Sequence, residues 1–270
     1  MKIFWKIFDF YIDGSIHVAL SCFALVKITQ HYFNISKDFQ IAYFAFFGTI
    51  VGYNFVKYEA LARSKKSQIR LKIKTLAVLF FLSLIAVGFY FFQLQRTTQI
   101  ISIAFLILTL LYTLPFFPNR KNARNWAGVK IYIVALCWVG VTVVLPVLNA
   151  GISITSDFYL KCIQRFILIF VLILIFEIID LAKDDPHLQT VPQQIGVKRT
   201  KRLGFLLLAL FFGLNFFSFI IDAKFEYSSF IIAIITALFL AFSNEKRAKY
   251  YTSFWVESVT ILWWILLLIL

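Results

Sequence analysis

Stretches of about 20 apolar residues alternate with short polar breaks along the whole chain. A helix needs about 20 such residues to cross the hydrocarbon core, and in lipid every backbone N–H and C=O must be bonded within its own segment. The pattern therefore predicts about nine transmembrane helices. They run approximately from Ser15 to Phe33, Phe39 to Tyr58, Thr75 to Phe92, Gln99 to Pro115, Lys130 to Asn149, Phe158 to Asp180, Leu203 to Ile221, Ser228 to Phe242 and Phe254 to Leu270. Ahead of the first, Phe4, Trp5, Ile7, Phe8 and Tyr11 alternate with Lys2, Lys6 and Asp9, the pattern of an amphipathic stretch lying at headgroup level. Nothing is left over for a water-soluble domain. Residues 1–270 read as a single transmembrane helical domain, an all-α integral membrane protein.

Composition agrees. Hydrophobic residues make up 61% of the chain and charged residues 15%, against about 45–50% and about 25% in soluble domains. The 27 basic residues outnumber the 13 acidic ones, for a net charge of +14. That surplus is concentrated in alternate loops: Lys57 to Lys74, Arg120 to Lys130, Lys183 to Arg202 and Lys246 to Lys249. By the positive-inside rule those loops are cytoplasmic, the N-terminus is inside and the C-terminus outside. The expected location is a bacterial inner membrane crossed many times, and the basic surplus is explained without a nucleic-acid partner. Cys22, Cys137 and Cys162 lie far apart in apolar stretches and read as small fillers. His17, His31 and His187 form no cluster.

Chemistry is concentrated at three polar islands. The sixth span ends in Glu177, Asp180 and Asp184, which share one face if the helix continues. Carboxylates so placed repel one another unless a divalent cation or basic residues lie between them, and hard oxygen ligands of this kind suit Mg²⁺ holding a phosphate. A solvated helix end before Pro186, with Lys183 and His187 as neighbours, is the alternative for Asp184 and Asp185. At the end of the second span Asn54, Lys57, Tyr58, Leu61 and Lys65 share a face that is suited to a diphosphate or, equally, to an interfacial belt in which lysines snorkel. The third island, Tyr112 to Lys121, presents Pro115, Pro118, Arg120 and Lys121 at the same boundary. Together they predict a cytoplasmic mouth above an aromatic interior, fitted to an amphiphile with a charged head and a long apolar tail. After Pro186, Pro192 can open a short helical turn and Gly196 close it, as a cap over that mouth.

These residues resemble the UbiA-type membrane prenyltransferase superfamily over most of the chain. The sixth helix of that family leads into Asp-x-x-Asp-x-x-x-Asp and then Thr-Leu-Pro-x-x-x-Gly. Here Glu177, Asp180 and Asp184 are followed by Thr190-Val191-Pro192 and Gly196. Tyr112 to Lys121 is similar to the family's Tyr-Ser-x-Pro-Pro-x-Arg-x-Lys region. The family's first motif, Asn-Asp-x-x-Asp-x-x-x-Asp, is degenerate: Asn54 is present, but Phe55, Tyr58 and Ala62 hold the acidic positions and Glu59 is out of register by one residue. The resemblance implies a UbiA-like bundle that transfers a prenyl group from a prenyl diphosphate to an aromatic or otherwise lipophilic acceptor. It implies Mg²⁺ on Glu177, Asp180 and Asp184, with Asp180, Asp184 and Lys121 in catalytic roles. Substrate contacts are expected from Asn54, Lys57, Tyr58, Arg63, Tyr112, Arg120 and Lys183. With the first carboxylates replaced, one metal site is expected to be lost or rebuilt. The second reading is a catalytically silent relative that binds an isoprenoid lipid or serves in a membrane complex.

Overall fold

The computed structural model describes residues 2–36, 38–63, 70–113 and 128–270, without the side chains of residues 2–3, 59–63 and 70–73. The described elements are helices: α1 (Lys2–Asp13), α2 (Ile16–Tyr32), α3 (Phe39–Arg63), α4 (Arg70–Phe91), α5 (Arg96–Thr113), α6 (Lys130–Val139), α7 (Leu145–Asn149), α8 (Ser156–Asp180), α9 (Val191–Ile195), α10 (Val197–Gly213), α11 (Ala223–Phe242) and α12 (Ser258–Ile269). A π-helical turn, Gly140–Val144, joins α6 to α7, and another, Tyr251–Val256, precedes α12. Eight spans among the described residues are long and apolar enough to cross a membrane, and α2 makes a ninth when joined to α1 across a 57° bend. The protein is an integral, multi-pass membrane protein. The seventh span runs Val197–Phe217 rather than from Leu203 to Ile221. Its first turns tolerate Lys198, Arg199, Lys201 and Arg202 because long basic side chains reach outward from a helix end, and Lys201 Nζ donates to Ala241 O at 2.8 Å.

At the centre stands α8, apolar on all sides from Phe166 to Phe176, with Leu168, Val171, Leu174, Ile175 and Ile178 fully buried. Around it, Phe81, Leu82 and Ile85 of α4, Leu106 and Ile107 of α5, and Leu206 and Leu210 of α10 are exposed. An apolar surface of that extent belongs against lipid.

The break between α6 and α7 has a local cause. Pro146 has no N–H to donate and crowds the carbonyl four residues back, which is that of Thr142. The π turn widens the helix there. The Thr142 carbonyl accepts a hydrogen bond from Thr29 Oγ1 of α2 at 2.6 Å instead. Gly140 opens the same turn because Phe105 of α5 lies against it: a Cβ at Gly140 would stand 2.1 Å from Phe105 Cζ. A Gly140→Leu substitution is expected to lower stability by about 1–3 kcal/mol through overpacking, read as a lower thermal midpoint in detergent.

The α1–α2 corner likewise depends on a close approach. A Cβ at Gly14 would meet Phe10 O at 2.8 Å and Leu79 Cδ2 at 2.9 Å. Ser15 adopts the left-handed conformation at φ 62°, a conformation that costs a non-glycine residue about 1–3 kcal/mol unless its surroundings enforce it. The polar groups that enforce it come from α3.

Candidate functional site

The first island holds this corner. Asn54, 3% exposed, accepts from Ser15 Oγ at 3.0 Å through Oδ1 and donates from Nδ2 to Gly14 O at 3.1 Å. Lys57 Nζ donates to Ser15 Oγ at 3.0 Å, and Tyr58 OH donates to Asp13 O at 2.9 Å. Asp13 and Glu257 supply opposing charge to Lys57. The face read from the sequence as a diphosphate contact is therefore engaged in binding α1 to α3. Loss of a buried partner typically costs about 1–3 kcal/mol, so Asn54→Ala is expected to destabilise the protein by that amount, read as a lower thermal midpoint in detergent. The side chain of Arg63 lies outside the described residues.

At the second island the regular part of α8 ends at Asp180, and one last turn, in which Lys183 N and Asp184 N both donate to Asp180 O at 2.8 and 2.9 Å, carries Asp184 round to the side of Asp180. Glu177, 3% exposed, accepts the Val191 N–H at 3.1 Å and so fixes the start of α9. That helix opens with Pro192 and closes at Gly196, φ 78°, as its sequence predicts. Asp185 accepts from the His187 N–H at 2.9 Å, capping the turn Pro186–Leu188. Asp180 is half-exposed, with Lys183 Nζ 3.8 Å away, and Asp184 Oδ2 is buried without a hydrogen-bond partner.

Among the described residues no group of three His, Cys, Asp or Glu side chains is gathered closely enough to hold a metal. Glu177, Asp180 and Asp184 thus do not form one ligand set. The orphaned oxygen of Asp184 beside Asp180 fits a single hard cation on two carboxylates, a number that suffices for Mg²⁺ when substrate phosphate supplies further oxygens.

A cavity of about 400 Å³ lies between α2, α3, α4, α5 and α6. Val56, Tyr112 and Ile133 line the end nearest the basic loops, and Phe44, Phe91 and Leu145 the other. At 1.5 Å per residue, the run from Ser102 to Tyr112 along α5 makes it about 15 Å long, half the hydrocarbon thickness. Few polar groups break the apolar wall. Tyr53 is one, its OH accepting from Trp138 Nε1 at 3.2 Å. Of the expected site residues Tyr112 lines this cavity, and no described residue of α8 does. The α6 helix stands between, with Ile131 packed on α8 and Ile133, Val134 and Cys137 on the cavity. Arg120 and Lys121, the expected cations of the third island, lie outside the described residues.

Two groups escaped the sequence reading. One is Glu257; the other is a cluster around Lys161 and Arg165 near the start of α8. Both sit inside apolar runs, which is itself the signal that singles out an intramembrane ionisable residue.

The described residues thus form a helical membrane bundle with a carboxylate-bearing end and an apolar cavity. No family model matches the chain, and no curated protein matches it. A solved digeranylgeranylglyceryl phosphate synthase does: the two structures align with a TM-score of 0.57, at 14% identity, over 96% of this chain and 92% of the synthase. The chain shares the fold of that solved membrane synthase.

Proposed function

We propose that the chain is a divergent UbiA-type prenyltransferase that transfers a prenyl group from a prenyl diphosphate to a lipophilic acceptor. The cavity of about 400 Å³ carries this reading, because it is apolar, runs parallel to the spans, and has one end at the basic loops. A tail laid in it places the diphosphate at those loops. There the C–O bond to the allylic carbon breaks, the electron pair leaves with the diphosphate, and the acceptor bonds to that carbon and gives up a proton. Mg²⁺ on Asp180 and Asp184 would neutralise charge on the departing diphosphate. Lys183 stands beside Asp180 for the same purpose, and Arg63, Arg120 and Lys121 are the remaining basic residues assigned there. The basic end faces the cytoplasm by the charge rule, which puts the N-terminus inside and suits a bacterial inner membrane.

A second reading, a silent relative that binds an isoprenoid lipid, is favoured by two observations. The remnant of the first motif is engaged at the α1–α2 corner, and no described carboxylate lines the cavity. Purified protein incubated with labelled prenyl diphosphates, Mg²⁺ and membrane extract as acceptor source separates the two. Release of diphosphate supports transfer; tail-dependent binding without release with any chain length supports the silent relative.

A further inference from the structure

At the end of the bundle away from the basic loops, α8 carries Lys161 and Arg165 one turn apart on one face. They are 7% and 5% exposed. Arg165 donates through Nη1 to Leu25 O at 3.1 Å and Thr142 Oγ1 at 2.9 Å, and through Nη2 to Thr29 Oγ1 at 3.3 Å. Lys161 Nζ donates to Gln164 Oε1 at 2.8 Å and Asn215 Oδ1 at 3.4 Å and lies over the rings of Tyr32 and Phe225 at 4.0 and 4.2 Å. All of these partners are neutral. Among the described residues neither cation forms an ion pair. Asp157, the acidic residue one turn before Lys161, accepts instead from Ser218 Oγ at 3.2 Å, Phe219 N at 3.0 Å and Ile220 N at 3.2 Å. Asp157, Asp222 and Glu226 act on Lys161 through space, while the described hydrogen bonds of Arg165 all end on neutral oxygens.

A guanidinium has five N–H donors and an ammonium three, so both groups retain donors beyond those engaged. Between them lies a small cavity of about 10 Å³, walled by both cations with Thr29 and Gln164 on the polar side and Trp263 and Phe33 on the apolar side. So small a space takes one compact ligand. A single-atom anion is the most compact counter-charge, whereas a neutral water would supply none beside the buried Arg165 guanidinium.

We propose that this cavity is a binding site for a single monatomic anion, of which chloride is the abundant example, held between Lys161 and Arg165 in the half of the membrane opposite the basic loops. The bound anion offsets one of the two positive charges and ties together α2, α8 and the α6–α7 junction, all of which contribute ligands or their supports. A ligand that binds only the folded state raises its stability in proportion to the logarithm of its saturation.

The full chain in neutral detergent is melted at fixed sodium concentration with chloride, bromide or gluconate as the anion. Chloride and bromide are expected to raise the midpoint in a saturable way and gluconate, too large to enter, not to do so. Lys161→Met is expected to raise the half-saturating chloride concentration at least tenfold. Should that variant fail to fold, anomalous diffraction from the unaltered protein grown in bromide decides, with one peak expected between Lys161 Nζ and the Arg165 guanidinium. Equal midpoints in the three anions, an unchanged chloride response in the variant, or no bromide peak in the cavity would overturn the proposal. Diphosphate release plays no part in these readouts, so the result stands or falls independently of the transfer reaction.

Discussion

A Gly52→Phe protein is expected to fold as the parent does and to bind prenyl diphosphate about a thousandfold more weakly. Gly52 lies on the wall of the large cavity, and a Cβ built there meets no atom within 4 Å. A phenyl ring therefore enters open space inside the bundle and takes volume from whatever tail occupies it. Each excluded methylene forfeits about 0.8 kcal/mol of apolar burial. Five excluded groups forfeit about 4 kcal/mol, close to a factor of a thousand in affinity. The backbone does not oppose the change, since Gly52 lies inside α3, where glycine is itself a weak helix former. Gly48 faces the same cavity with the same clearance, so Gly48→Phe gives a second, independent block. Equilibrium binding of a labelled prenyl diphosphate, with the thermal midpoint as the folding control, tests this. Undiminished affinity in both variants removes the cavity as the tail site under either functional reading.

The spans were legible from the sequence because hydropathy is summed over some 20 residues and tolerates local error, and the alternation of basic loops fixed their count independently. What escaped was set by partners distant along the chain. Asn54 and Lys57 have the composition of a phosphate contact, yet their partner Ser15 stands 39 and 42 residues away. No periodicity within α3 registers a left-handed serine at the far corner. Asp184 stands beside Asp180 through one last turn past the regular end of α8, closed by the Asp184 N–H on Asp180 O. Glu177 has the right spacing for a ligand set and is drawn off by the Val191 N–H. The π turn at Gly140–Val144 is invisible to hydropathy, although Pro146 marks where a regular helix fails. The cluster at Lys161 and Arg165 was visible in principle as two cations at i and i+4 inside a span. The charge rule drew attention to the loops instead.

Asp180→Asn and Asp184→Asn are each expected to slow diphosphate release by at least about a hundredfold if the chain is a transferase, while leaving its thermal midpoint nearly unchanged. Removing one preorganised charge-stabilising group from an active site typically costs about 10²–10³ in rate. Amide for carboxylate keeps shape and hydrogen-bonding capacity but removes the negative charge a hard cation needs. Stability is not at stake, because Asp180 is half-exposed with only a loose pairing to Lys183, and Asp184 Oδ2 has no hydrogen bond to lose. Glu177→Gln is the informative contrast. Its carboxylate accepts the Val191 N–H at 3.1 Å and anchors α9, an acceptor role that a glutamine oxygen can keep, so this variant is expected to retain most activity. Three variants with equal, large losses would restore the three-carboxylate set that the folded chain does not assemble among its described residues. Full release rates in both aspartate variants would instead remove this end of α8 from the chemistry. Where the unaltered protein releases no diphosphate at all, the same two substitutions should leave tail binding intact, since no described residue of α8 touches the cavity wall.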